Sequence, residues 1–224
     1  MSEVATETVV LDRVAGVCGE LVLRRAGADF EIIANGTFLM DTRNGESERL
    51  LVRAAADRMP AGGRLLVGGL GVGFSLRAAL DHPRVGDVVV VERERAVIDW
   101  NRGPLADRHG DALADQRVRC VESDLLACLP AAKGFAGICL DVDNGPEWTV
   151  TDGNAALYGD TGLGTLAEAL VPGGVLAVWS SAASPAFAAR LAERFDQVET
   201  LFVPVSRGEP DVVFLGRIRA GRIR

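Results

Sequence analysis

Four short runs in this sequence have residue types and spacings that could do chemistry. The first is Gly68-Gly69-Leu70-Gly71-Val72-Gly73, which follows an apolar stretch and opens a helical one. Glycines there let backbone amides approach a ligand closely, and a helix N-terminus favours a polar or negative group. A tight strand–helix corner would use the same glycines. The spacing narrows the choice of ligand, because a dinucleotide fingerprint running from Gly69 through Gly71 needs its last glycine where Phe74 stands. The run suits NAD poorly and a nucleoside held without a pyrophosphate better.

The second is Glu92, the last residue of the run 87–92, DVVVVE. An acid at the end of the second strand of such a unit points into the ligand crevice and can accept both ribose hydroxyls. A solvated strand-end carboxylate among Arg93, Glu94 and Arg95 is the alternative. The third is Glu122-Ser123-Asp124. Asp124 either lies beside an adenine edge or caps a helix over 125–129. The fourth is Leu140-Asp141-Val142-Asp143-Asn144-Gly145-Pro146, two carboxylates and an amide crowding one turn. Asp141 or Asp143 could hold an ammonium group or take a proton from an attacking amine. Like charges so close raise the pKa of one of them. A turn without chemistry would use the same residue types.

Other polar residues carry less. His82 and His109 have no acidic or cysteine partners at ligand spacing, so no metal is expected. The cysteines Cys18, Cys120, Cys128 and Cys139 lack C-x-x-C spacing and read as reduced and structural, which fits a cytoplasmic protein. Tyr158 and Trp148 follow the fourth run, where a lid over a substrate could form, and Ser180 and Ser181 could face the same pocket.

These runs need elements to hold them. Residues 20–25 and 29–38 read as strands with a turn at Asn35-Gly36, and 48–59 as a helix ending before Pro60. Strands then alternate with helices: strands at 64–69, 87–92, 117–122, 136–141 and 175–180, helices at 72–80, 94–101, 163–170 and 186–195. A closing strand pair follows at 198–205 and 211–217. Such alternation predicts a doubly wound, mostly parallel α/β sheet of seven strands with an antiparallel edge, preceded by a small β-rich appendage. The expected division is residues 1–59 for the appendage with its helix and 60–224 for a Rossmann-like binding domain.

With 224 residues and 48% hydrophobic content, the chain can bury a sizeable core. A net charge of -7 and 5% aromatic residues argue against a nucleic-acid partner. The apolar runs are too short to span a bilayer, and residues 1–12 have no secretory pattern. A small-molecule partner is expected.

These residues resemble the spermidine synthase-like proteins within the class I S-adenosylmethionine-dependent fold, over roughly residues 35–214. LLVGGLGVG matches the glycine loop, VVVVERERAVI the ribose acid, RVRCVESDLL the adenine edge, and ICLDVDNGP the catalytic turn. The resemblance implies that Gly68, Gly69, Gly71, Gly73, Glu92, Asp124 and Asp141 bind the cofactor. Asp141 and Asp143 would then be catalytic, with Asp143, Asn144 and Tyr158 at the acceptor. The implied cofactor is S-adenosylmethionine or its decarboxylated form, with no metal, and the appendage could build a homodimer.

The sequence departs from the family at three places. Gly71 stands where aminopropyltransferases carry a loop aspartate, DVDNGP is shorter than their D-S-S/T-D-P loop, and Glu48-Arg49-Leu50 replaces their Y-H-E. The missing loop aspartate leaves room for a donor carboxylate. Methyl transfer to a small amine or hydroxyl acceptor is therefore the leading expectation. Aminopropyl transfer to a polyamine is the alternative, and a non-catalytic nucleoside-binding protein the second alternative. An NAD-dependent oxidoreductase ranks last.

Overall fold

The computed structural model describes residues 8–142, 144–149, 153–205 and 208–221. The chain begins with a four-stranded antiparallel meander: β1 (Thr8–Gly16), β2 (Gly19–Ala26), β3 (Asp29–Ala34) and β4 (Thr37–Asp41). Asn35 and Gly36 turn β3 into β4 with φ of 50° and 78°, the left-handed pair that a tight hairpin turn requires. β1 lies outside the strands expected from the sequence, because its residues are mostly exposed and their hydrophobic alternation is weak.

α1 (Glu46–Arg58) follows, burying Leu51, Val52, Ala54, Ala55 and Ala56. It packs on strands of the large sheet. That sheet contains β5 (Gly63–Gly68), β6 (Val85–Glu92), β7 (Val118–Glu122), β8 (Phe135–Leu140), β9 (Leu170–Ser180), β10 (Gln197–Val203) and β11 (Asp211–Arg217). Their order is β10-β11-β9-β8-β5-β6-β7; the five from β9 to β7 run parallel, and β11 and β10 add antiparallel pairs. Pro172-Gly173-Gly174, expected as a turn before the strand, lies inside β9 as an irregularity where Gly173 takes φ 79°.

Alternate side chains along each strand feed separate cores. Leu65, Val67, Val88 and Val90 pack with α1, α2 (Phe74–Asp81) and α3 (Arg95–Arg102). Leu66, Ile138, Leu140, Leu176 and Val178 pack with α4 (Leu125–Cys128), α5 (Ala155–Tyr158), α6 (Asp160–Ala169) and α7 (Pro185–Arg194). A sheet covered on both faces explains the unbroken β-branched run of β6. Among the described residues no helix is long and apolar enough to cross a membrane.

Connectivity reverses between β5 and β8: the chain leaves β5 toward β6 and β7, then returns to add β8 on the other side. Open α/β sheets bind ligands outside the carboxyl ends of the strands at such a reversal. All four chemically loaded runs sit there. The appendage leans over this end, with Trp100 Nε1 donating to Asp12 at 2.8 Å and the Val17 amide donating to Glu94 at 2.9 Å.

Candidate active site

The glycine run lets three strand ends meet. Gly69, Gly71 and Gly73 have φ of 89°, 53° and 88°, a region that residues with side chains adopt at a cost. A Cβ on Gly69 would lie 2.3 Å from the Asp141 carbonyl, so only glycine lets the end of β5 touch the end of β8. The contact is bonded: Asp141 N donates to Gly68 O at 2.9 Å, and Gly69 N to Val91 O at 2.9 Å. Gly69 and Gly71 line the cavity. Gly68 packs against Leu125 and Leu140, and Gly73 precedes α2 against His109, so those two shape the loop rather than the cavity wall.

Glu92 is locked by the loop it serves. Its Oε2 accepts from Leu70 N at 2.9 Å and its Oε1 from Glu94 N at 2.8 Å. Burial raises its pKa, and these amide donors pull it back down. Each oxygen keeps a second acceptor site, and Glu92 lines the cavity, so the geometry fits a ribose diol. Asp124 caps α4, its Oδ1 accepting from Leu126 N at 2.8 Å, and it also lines the cavity.

Asp141 faces an acidic corner that the sequence did not reveal. Burial raises its pKa to about 8, and the negative charges of Glu48 and Asp211 add to the rise. Ser47 Oγ donates to Asp211 Oδ2 at 2.7 Å, joining α1 to the start of β11. Burial, with Asp211 adding, raises the Glu48 pKa as well. Glu48 and Asp211 were missed because they lie far from Asp141 in the chain. The available signal was an acid opening an apolar strand, as Asp211 does. Trp179 also lines the cavity.

Asn144 lines the cavity and anchors the turn, its carbonyl accepting from Ser181 N at 3.0 Å and Ser181 Oγ at 2.8 Å. Ser180 is buried and its hydroxyl binds the Ala182 carbonyl at 2.7 Å. Asp143 lies outside the described residues. Tyr158, expected at the acceptor, does not line the cavity: its ring is buried edge-on against Phe187, while Leu157 and Asn154 reach the wall instead. The helical turn of α5 points successive residues to different sides, and the apolar core takes the ring. Trp148 is exposed.

The cavity holds about 700 Å³, a volume that suits a nucleoside with a small partner. Among the described residues it is lined by eight carboxylates and a single guanidinium, Arg93. The space beside Gly71 is taken by a neutral side chain: a Cβ there would lie 2.6 Å from Met40 Sδ and Cε, the flexible end of a thioether from β4. Among the described residues lining the cavity, no cationic group stands there to hold the donor carboxylate that the sequence reading expected in this gap. No group of three or more His, Cys, Asp or Glu among the described residues is arranged to hold a metal.

Comparison with known proteins agrees with this layout. No protein-family model matches the chain. Polyamine aminopropyltransferases of Mycobacterium tuberculosis and Mycobacterium bovis are 32% identical to it over 165 residues, 71% of this chain and 30% of theirs. The match thus spans less than a third of those longer relatives. A spermidine synthase solved with the transition-state analogue AdoDATO superposes with a TM-score of 0.77 at 15% identity, covering 95% of this chain and 74% of that one. The spermidine synthase of Thermotoga maritima gives 0.76 at 16% identity, with coverage of 95% and 74%. These similarities favour the aminopropyl alternative and give no support to methyl transfer. The chain has the fold of the spermidine synthases, and over the aligned 165 residues it is homologous to polyamine aminopropyltransferases.

Proposed function

We propose that this chain transfers an aminopropyl group from decarboxylated S-adenosylmethionine to an alkylamine acceptor of the polyamine class. The observation that carries the reading is the charge of the cavity. Of the eight acids, Glu20 and Asp41 pair with Arg13 and Arg43, and Asp141 holds its proton to about pH 8. The remaining acids still outnumber the one lining arginine, which disfavours a donor that keeps its α-carboxylate and favours one bearing only sulfonium and ammonium charges. The homology to polyamine aminopropyltransferases supports the same choice.

Each residue then has a part. Glu92 accepts the ribose hydroxyls, and the glycine loop lets the donor approach the ends of β5 and β8. Asp124 and Arg93 flank the base. The donor supplies an activated carbon, whose bond to the positive sulfur breaks as the acceptor nitrogen bonds to it, the electron pair leaving as a neutral thioether. Asp141 orients the acceptor and takes a proton from its reacting ammonium group, freeing the lone pair that bonds to the carbon. Its raised pKa suits a base working near neutral pH. Glu48 and Asp211 hold the positive charge of the acceptor close to that base. Positioning the reactants in a shielded cleft lowers the entropic part of the barrier.

The test is calorimetry with S-adenosylmethionine, its decarboxylated form and methylthioadenosine, followed by mass spectrometry of a linear diamine incubated with each donor. The proposal expects tighter binding of the decarboxylated donor and an aminopropyl adduct. Preferential binding of the intact donor together with a methylated product would overturn it.

A further inference from the structure

Asn101, on α3, is completely buried beneath the glycine loop. Its Nδ2 donates to the Gly71 carbonyl at 2.8 Å and to the Val97 carbonyl of its own helix at 2.8 Å. Its Oδ1 is buried and has no hydrogen-bond partner among the described residues. A Cβ on Gly73 would lie 3.1 Å from that oxygen and 2.5 Å from Cδ2 of His109. His109 is buried too, and its Nδ1 accepts from Ala112 N at 3.0 Å. The loop therefore rests on an amide and an imidazole. Leaving an amide oxygen unsatisfied in the interior is costly, and an apolar side chain of similar shape would avoid the cost. The amide needs a compensating role, and the bond to Gly71 is the one it has toward the loop.

That bond controls what the loop can offer. A trans peptide group points its C=O and N–H in opposite directions. Holding the Gly71 carbonyl toward α3 turns the Val72 N–H to the other side. Gly71 lines the cavity, has φ 53°, and stands between two further left-handed glycines, so without an anchor its peptide could turn at little cost. We infer that Asn101 is a positioning residue, whose side-chain amide clamps the Gly71 carbonyl and holds the donor-binding loop in one preformed conformation. The identity of the donor rests on the function proposed above; the clamp itself does not.

The test compares Asn101→Leu and Asn101→Asp, which remove the N–H donor, with Val97→Ala, which loosens the same helix and the shared core but keeps the amide. Asn101→Ser, smaller and too short to reach Gly71, serves where the larger change prevents folding. Two readouts are taken on the full chain: amide hydrogen exchange at residues 69–73 in the free protein, and calorimetric affinity for methylthioadenosine. The clamp predicts roughly tenfold faster exchange at 69–73 and roughly tenfold weaker binding in the Asn101 variants. Val97→Ala should lower the melting temperature and leave both readouts unchanged. Exchange within about twofold of wild type in the Asn101 variants, or an equal rise in Val97→Ala, overturns the inference. If the wild-type chain ignores methylthioadenosine, the donor reading fails while the exchange data still decide the clamp.

Discussion

Replacing Asp141 by Asn should remove the loss of stability that the wild type suffers as the pH rises, while abolishing the proposed aminopropyl transfer. The side chain keeps its shape and loses its charge. In the folded chain burial and the charges of Glu48 and Asp211 hold the Asp141 pKa at about 8, whereas an unfolded aspartate titrates near about 3.9. Between those values the folded state binds a proton that the unfolded chain has released. Stability of the wild type therefore falls as pH rises through that window and levels off above it. The full slope is about 1.4 kcal/mol per pH unit, or about 4 kcal/mol from pH 5 to pH 8. Asp141 is half-buried and keeps some contact with solvent, so we expect Asp141→Asn to gain on the order of 3 kcal/mol over the wild type across that range. Urea denaturation of both chains at half-unit pH steps measures the difference directly. Parallel stability profiles from pH 5 to pH 8 would show that Asp141 is an ordinary solvated carboxylate, and the assignment of a poised base would go with it.

Further outcomes follow from single contacts. Asp211→Asn removes one of the charges raising the Asp141 pKa and should move the rising limb of the activity profile to lower pH; an unmoved limb separates the two groups. Glu92→Gln keeps one acceptor and sets an N–H against the Leu70 or Glu94 amide, so methylthioadenosine affinity measured by calorimetry should fall about tenfold to a hundredfold. Gly69→Ala places a methyl group 2.3 Å from the Asp141 carbonyl at a φ of 89°. It should cost at least about 2 kcal/mol in thermal or urea unfolding and abolish nucleoside binding, and wild-type stability would refute the strand-end contact.

The large sheet was legible because its patterns are local. DVVVVE can only be a strand buried on both faces, and Pro60 stops a helix wherever the chain later goes. Glu92 and Asp141 were legible for the same reason: each ends an apolar run, and a strand end in a doubly wound sheet faces the crevice. β1 was not, since its side chains are mostly exposed and it is held by hairpin pairing with β2, which its weak hydrophobic alternation does not mark. Tyr158 was misplaced because its partner lies far along the chain. Its sequence neighbourhood suggested a lid, but Phe187, brought by α7, draws the ring into the core.

Local pattern by itself determined the α/β architecture, the glycine turn and the acid beside it, because backbone preference and hydrophobic periodicity act over a few residues. Only the folded chain decided the electrostatics of the reaction site. It brought Glu48 from a helix and Asp211 from the last strand to Asp141, set Met40 against Gly71, and placed Asn101 under the loop. Charge repulsion, steric filling and hydrogen bonding depend on distance in space, and that distance exists only once the crossovers have closed.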